Sequence, residues 1–257
     1  MDFFFELHHD LPREGPGDSV STGKALALIT ALPACPAILD VGCGPGMQTL
    51  DLVLQTAGSV IAVDTHRPFL EHLDQRAQAS GLQTRITPIT AAMEALPFAA
   101  QTFDLIWAEG AMYLMGFAEG LRAWRPLLRP GGAIAVSELT WLQPDPPEEV
   151  RTFWATNYPA MHTVAANLTL LRTAGYDLLG HFVLPSQSWW EPYYTPLEAR
   201  IALLRTKYAG HAVAQQVFDQ AQRELDLYRR YAAWYGYVFY VMRAHPDSSS
   251  DVDESAC

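Results

Sequence analysis

The sequence predicts an α/β protein whose sheet is mostly parallel and carries helices on both faces. Three observations lead to this fold class. Short apolar runs alternate with segments of helical periodicity between residues 38 and 136, which is typical of parallel sheets. The first run ends in a glycine-rich turn that opens onto a helix. The 257 residues, 49% hydrophobic and 18% charged, can bury a substantial core.

Residues 1–22 are predicted to form an N-terminal cover segment without regular secondary structure. Proline and glycine interrupt residues 11–17, which disfavours a helix or strand there. Because exposed phenylalanines are costly, we expect Phe3–Phe5 to pack over an apolar surface. A helix capped by Ser21 or Thr22 should follow and end before Pro33.

The alternating part of the chain is predicted to contain five strands. They cover residues 38–41, 59–64, 86–89, 103–108 and 133–136. The helix after the first strand is expected to stop at Gly58 in a left-handed cap. The next helix should begin at Pro68 and close at Gly81. A helix through Leu128 should end at the turn of residues 129–132.

The rest of the chain departs from simple alternation. A surface connection, a helix, a strand, an inserted helical cap and a last strand are predicted at 143–147, 163–174, 177–184, 185–233 and 236–243. We therefore expect one domain over residues 1–245. Residues 246–257 are polar and acidic, which predicts a disordered tail.

Composition excludes several classes of partner. A net charge of −11 and a pI near 5.1 argue against nucleic acid, since backbone phosphates are bound by Lys and Arg clusters. No apolar run is long enough to span a bilayer and the start is not basic, so a cytoplasmic protein is expected. Cys35, Cys43 and Cys257 form no C-x-x-C pair, and the histidines are scattered, so no disulfide and no metal site is predicted.

The glycine turn has the spacing of a nucleoside site. Gly42, Gly44 and Gly46 occupy every second position. A dinucleotide-binding turn, G-x-G-x-x-G, would instead have its third glycine at position 47, which is Met47 here. Asp40 precedes them and suits a ligand with positive charge. Asp64 ends the second strand, 20 residues beyond Gly44, where a carboxylate can accept from ribose hydroxyls.

The pattern of strand, Asp40–Gly46, helix, strand and Asp64 resembles the class I S-adenosylmethionine-dependent methyltransferases. Residues 93–98, 103–106 and 128–132 strengthen the resemblance. It implies a Rossmann-like sheet of seven strands, the last one antiparallel, and S-adenosylmethionine as the cofactor.

The same resemblance assigns roles to residues of this chain. It implies that the three glycines hold the amino acid part of the cofactor. Asp64 would hold the ribose, Met93 with Glu94 would border the adenine, and Thr65 is a further cofactor-binding candidate. The chain departs from many relatives at Ala92, where they carry Asp or Ser.

Candidates for the acceptor side lie at the carboxyl ends of the strands. They are Glu109 and Tyr113 after the fourth strand, and Glu138 and Trp141 after the fifth. A base is needed only if the acceptor must lose a proton, and Glu109, Tyr113, His8 and His9 are the candidates.

Two further groups lie outside the alternating pattern. Trp189, Trp190, Tyr193 and Tyr194 are predicted to roof an apolar substrate site, and Arg13 to reach the cofactor carboxylate. The leading hypothesis is methyl transfer to a small molecule. The alternatives are a nicotinamide-dependent oxidoreductase, another transfer on the same fold, or a cofactor-binding regulator without catalysis.

Overall fold

A computed structural model describes residues 2–245 and contains a seven-stranded sheet. The strands are β1 (Ala37–Val41), β2 (Ser59–Asp64), β3 (Ile86–Thr90), β4 (Phe103–Glu109), β5 (Leu128–Trp141), β6 (Tyr176–Val183) and β7 (Tyr235–Ala244). Their order in the sheet is β3-β2-β1-β4-β5-β7-β6. Neighbours from β3 to β5 pair in parallel, and β7 is antiparallel to both β5 and β6. The predicted fold class and the antiparallel last strand are confirmed.

Helices cover both faces of this sheet and one of its ends. They are α1 (Phe3–His8), α2 (Ser19–Ala27), α3 (Met47–Gln55), α4 (Arg67–Ala79), α5 (Phe117–Trp124), α6 (Glu148–Asn157), α7 (Val164–Thr173), α8 (Gln187–Trp189), α9 (Thr195–Lys207) and α10 (Ala212–Tyr231). A π-helical stretch, Trp190–Tyr194, joins α8 to α9. The sequence analysis did not predict α6.

The prediction of an irregular N-terminal segment was wrong at its start. Phe3–His8 is helical, and Asp2 caps it by accepting from the backbone N–H of Phe4. The second helix begins at Ser19, earlier than expected, because Asp18 accepts from the backbone N–H of Ser21. Asp18 is a stronger cap signal than the predicted serine or threonine because its carboxylate also complements the helix dipole.

Two boundaries in the alternating part were also wrong. The first helix after β1 ends at Gln55, and Gly58 is no left-handed cap but packs tightly against Pro36. β5 begins at Leu128 and runs for 14 residues, so residues 129–132 lie inside it rather than in a turn. Its pairing with β4 is irregular there, with a register shift between Phe103 and Leu105. Glu138 and Trp141 therefore lie within the strand, not after it.

Three apolar clusters make up the core. One lies under α2, α3 and α4 on one face of the sheet, and a second lies under α5 and α7 on the other. The third joins α1, α6 and α8–α10 beyond the end of β5. The helices of residues 185–233 pack on this third cluster. The division into cover, cap and single domain stays a prediction, and the predicted disordered tail lies outside the described residues.

Between residues 2 and 245, no helix has both the length and the apolar character needed to cross a bilayer.

A substitution at Gly46 tests how closely the start of α3 packs against α4. It caps α3 with φ of 85°, and an added Cβ would overlap the side chain of Leu73 on α4. Gly46→Ala should lower the free energy of unfolding by about 2–4 kcal/mol, from left-handed strain plus overpacking. Urea unfolding measures it. Gly210→Ala, where nothing lies within 4 Å of the added carbon, is the control; equal loss in both variants would contradict this packing.

Candidate functional site

Two adjoining cavities lie beyond the carboxyl ends of β1, β2, β4 and β5. The first cavity has a volume of about 260 Å³ and is lined by the glycine turn, the end of β2, the loops after β3 and β4, and the cover segment. Eight of the eleven predicted site residues line it: Arg13, Gly42, Gly44, Asp64, Thr65, Met93, Glu109 and Tyr113. Most of the predicted site residues therefore lie together around one cavity, and their roles stay a prediction.

The glycine turn is held against β2 by main-chain hydrogen bonds. The N–H groups of Gly42 and Cys43 both donate to the carbonyl of Val63, at 2.8 and 3.0 Å. Gly42 and Gly44 have φ of 69° and 51°, in the left-handed region that favours glycine. A Cβ on Gly42 would overlap that of Ala111, so the turn and the loop after β4 approach each other closely.

Asp64 lies at the edge of the first cavity and is fixed by two backbone donors. Its Oδ2 accepts from Gly44 N–H at 2.9 Å, and its Oδ1 accepts from His66 N–H at 2.8 Å. A carboxylate oxygen has lone pairs for more than one donor, so both can still accept from a ligand. The aromatic ring of His66 stacks on Phe5 of the cover segment, with centroids 3.7 Å apart.

The structure does not bring Asp40, Gly46 or Glu94 to the cavity lining. Asp40 is fully buried beneath the turn, where its Oδ2 accepts from Thr49 Oγ1 at 2.5 Å, and burial raises its pKa to about 7. Gly46 faces α4, and Glu94 is exposed. Ala91, rather than Ala92 or Glu94, lines the cavity beside Met93.

Arg13 connects the cover segment to the sheet through a buried ionic network. Its Nη1 donates to Glu109 Oε2 at 2.9 Å, and its Nη2 donates to Asp51 Oδ2 at 3.1 Å. Glu109 Oε1 accepts from Thr22 Oγ1 and from Trp107 Nε1. These partners assign Glu109 to holding the cover segment, and the structure gives its predicted catalytic role no support.

The second cavity, of about 200 Å³, adjoins the first and is walled largely by aromatic rings. Its lining residues are Phe4, Glu14, Gly15, Pro16, Gly110, Tyr113, Leu139, Trp154, Asn157, Tyr158, Trp189, Tyr193, Glu224 and Tyr237. Of the predicted roof, Trp189 and Tyr193 line this cavity. Trp190 instead lies under Arg229, and Tyr194 is fully buried in the core.

Three carboxyl groups lie in or behind the wall of the second cavity. Glu14 carries a buried Oε1 that has no partner among the described residues, and burial together with Asp64 raises its pKa to about 8. Glu224 accepts from Tyr194 Oη at 3.0 Å. Glu138 accepts from Tyr158 Oη at 2.5 Å, and burial raises its pKa to about 8.

Sequence analysis missed Glu14, Glu224 and Tyr158. Glu14 stands in a proline- and glycine-rich segment whose path no local pattern specifies. Glu224 carried a weak signal, because it directly precedes the buried Leu225 on α10.

Neither Tyr113 nor His8 is free to act as a base: Tyr113 keeps its proton, and both ring nitrogens of His8 are engaged in hydrogen bonds. Burial and the nearby Glu224 and Glu14 raise the pKa of Tyr113, so its phenol keeps its proton. Burial lowers the pKa of His8, so its imidazole is neutral. Since His8 Nδ1 faces the carbonyl of Phe4 at 2.9 Å, Nε2 accepts from Tyr193 Oη at 3.1 Å.

His9 lies away from both cavities. It approaches Asp10 and His72, with the possible ligand atoms of the three within 4.8 Å of one another, and His9 and Asp10 are exposed. Cys35 and Cys43 are free thiols, and Cys257 lies outside the described residues. The absence of a functional metal stays a prediction.

Comparison with known proteins bears on this arrangement. A family model described as a methyltransferase domain matches residues 38–132. The methyltransferase GfsG of Streptomyces halstedii is 33% identical over 40% of this chain and 37% of its own length. The uncharacterized methyltransferase YodH of Bacillus subtilis is 26% identical over 77% of this chain and 91% of its own length. These matches support the predicted family, the class I S-adenosylmethionine-dependent methyltransferases.

The likeness in fold extends over nearly the whole of this family member. The methyltransferase of Geobacter sulfurreducens, solved in complex with S-adenosyl-L-homocysteine, superposes with a TM-score of 0.79. It is 20% identical, and the match covers 95% of this chain and 98% of that one. The predicted family is confirmed, and with it S-adenosylmethionine as the cofactor of the family. The chain matches only 37% of the length of GfsG.

The residues of the first cavity fit that cofactor. Its ribose hydroxyls are donors, and the carboxyl oxygens of Asp64 at the edge of the cavity can accept from them. Gly42 and Gly44 line the cavity without a side chain, so the backbone of the turn can approach a ligand there. Phe5, stacked on His66, and Met93 offer flat and apolar surface for the adenine of this methyltransferase's cofactor.

The buried Glu138 should make the stability of this methyltransferase depend on pH. In the unfolded chain its carboxyl ionises near 4.5, whereas in the folded protein it keeps its proton up to about 8. The folded state therefore binds more protons across that window, and its stability falls as pH rises from about 4.5 to 8.

Glu138→Gln removes that proton while keeping an acceptor for Tyr158. Between pH 5 and 9, its free energy of unfolding should rise relative to wild type by roughly 2–4 kcal/mol. Urea unfolding at several pH values measures the difference. Glu94→Gln, at an exposed site, is the control and should show no such trend. A flat difference for Glu138→Gln would mean that the buried carboxyl is ionised.

Proposed function

We propose that the protein transfers the methyl group of S-adenosylmethionine, held in the first cavity, to a small molecule held in the second. The observation that carries this proposal is the wall that the two cavities share. Phe4, Glu14, Gly15, Pro16, Gly110 and Tyr113 line both of them. A donor and an acceptor would therefore meet at one boundary, beyond the carboxyl ends of β4 and β5.

The first cavity offers a partner for each part of the cofactor. Gly42 and Gly44 let the backbone approach its amino acid part, and Asp64 accepts from the ribose hydroxyls. Arg13 lines the cavity, and its two ionic contacts use two of the five guanidinium N–H groups, which leaves donors for the cofactor carboxylate. Met93 and the Phe5–His66 stack border the adenine.

The bound cofactor supplies a methyl group activated by its sulfonium, so the protein needs mainly to align the acceptor and exclude water. The second cavity is small and largely aromatic, which suits both tasks. Its wall comes from five separate parts of the chain: the cover segment, the loop after β4, the end of β5 with β7, α6 with Tyr158, and the cap. The acceptor is therefore positioned by several segments packed against one another and not by a single loop.

Calorimetry distinguishes this function from a nicotinamide-dependent one. S-adenosylhomocysteine should bind the protein with one site per chain, and NAD should give no heat. If NAD binds and S-adenosylhomocysteine does not, the proposal fails. If S-adenosylhomocysteine binds but no small-molecule pool supports turnover of S-adenosylmethionine, a regulatory protein is favoured instead.

Asp64→Ala tests the place of the cofactor. Loss of the ribose acceptor should weaken S-adenosylhomocysteine binding at least tenfold, as expected when hydrogen bonds to a charged group are removed. Asp74→Ala, on α4 and outside the cavity lining, is the matched control. Circular dichroism checks that both variants fold. Unchanged affinity in folded Asp64→Ala would place the cofactor elsewhere.

A further inference from the structure

The second cavity combines ring faces with carboxyl groups in an unusual proportion. Seven of its fourteen lining residues are aromatic, and Glu14 and Glu224 face it from opposite elements. Glu138 lies directly behind Tyr158 and adds a third carboxyl. Within residues 2–245, no lysine, arginine or histidine lines this cavity. Every charge that the protein can present there is therefore negative.

These two kinds of group favour the same ligand chemistry. The faces of aromatic rings have a partial negative potential, from the ring quadrupole, and attract cations within about 6 Å of the ring centroid. Carboxylates attract cations more strongly in a partly buried site than in water. An anionic acceptor would be repelled by the ring faces and by the carboxylates, because no positive side chain lines the cavity to balance its charge. A neutral acceptor would gain little binding energy from Glu224.

We propose that the second cavity takes a small acceptor whose methyl-accepting atom is an amine nitrogen, bound as an ammonium between Glu14 and Glu224. This inference rests on the function proposed above and names its substrate class. The flat walls at Trp154, Trp189 and Tyr193 contact the hydrocarbon part of the amine.

Glu14 is placed to prepare the nitrogen for methylation. It is the carboxyl that lines both cavities, and its Oε1 has no partner among the described residues. Burial and Asp64 raise the pKa of Glu14 to about 8, and an ammonium beside it favours the ionised carboxylate. This carboxylate takes one proton from the ammonium, and the freed lone pair of the nitrogen forms the bond to the methyl carbon. The carbon–sulfur bond breaks, its electron pair stays on sulfur, and the positive charge moves to the methylated nitrogen.

Glu224 holds the charge without taking the proton. Burial raises the pKa of Glu224, whereas the hydrogen bond that Tyr194 Oη donates to its Oε1 favours the ionised carboxylate, as would an ammonium beside it. Because it lines only the second cavity, Glu224 stands apart from the cofactor and can be changed without altering the first cavity.

Calorimetry on protein saturated with S-adenosylhomocysteine tests the inference with three probes of one shape. These are 2-phenylethylamine, 2-phenylethanol and 3-phenylpropanoate, which differ in the charge of the terminal group. The amine should bind at least tenfold more tightly than the alcohol, and the carboxylate should give no binding. Equal affinity for amine and alcohol, or binding of the carboxylate, would overturn the inference.

Two variants locate the charge. Glu224→Gln keeps the acceptor for Tyr194 and should lower amine affinity about tenfold, with the affinities for the alcohol and for S-adenosylhomocysteine unchanged. Asp219→Asn, on the same helix but paired with Arg205 at the surface, should change none of them. If Glu224→Gln does not fold, Glu14→Gln takes its place in the amine measurement.

The outcomes separate the two proposals. Failure to bind S-adenosylhomocysteine in the first step would sink the methyltransferase function itself. Normal binding of S-adenosylhomocysteine, together with an amine-to-alcohol preference that neither glutamate variant changes, would sink the amine inference alone.

Discussion

The buried contact between Arg13 and Glu109 is the constraint on which both cavities depend. The two side chains are only 6% and 3% exposed, so each charge needs the other. A buried charge left without its partner costs several kcal/mol. Asp51 and Thr22 extend the contact to α3 and α2. The residues on either side of Arg13 are therefore fixed over the carboxyl ends of the strands.

That fixed segment gives the two cavities different chemistry from a shared wall. The first is lined by backbone turns and by Asp64, groups suited to a polar nucleoside. The second is lined by rings of the cap and of α6. Glu14 and Phe4 belong to both, one offering a carboxyl and the other a ring. One short stretch of chain thus lines both the proposed donor cavity and the proposed acceptor cavity.

Most residues predicted for the donor side come together at one cavity because that side is built locally. A strand, a glycine turn and a helix follow one another within residues 38–55, and the carboxylate at Asp64 ends the next strand. Periodicity and spacing are enough for such a unit. Its errors were also local: Asp40 has the right spacing, but its side chain points under the turn, which no pattern in the sequence reveals.

The acceptor side resisted prediction because distant segments build it. Glu14 and Glu224 are 210 residues apart in the chain, and only the packing of α1 against α9 and α10 brings them to one cavity. The helix at Phe3–His8 was missed for a related reason, since its six residues are stabilised by tertiary contacts of Phe3 and Leu7 more than by their own propensity.

The length of β5 has a consequence for how such a protein can diverge. The pairing of β4 with β5 ends at Ser137 of β5. Beyond that residue, β5 continues beside β7 to Trp141, about 13 Å further at the usual rise per residue. The pair Leu139 and Tyr237 on this extension forms the floor of the second cavity. A one-residue insertion there would turn these side chains to the other face of the sheet. Acceptor range should therefore evolve by point substitution in β5 and β7, and by changes of length only in the loops that flank them.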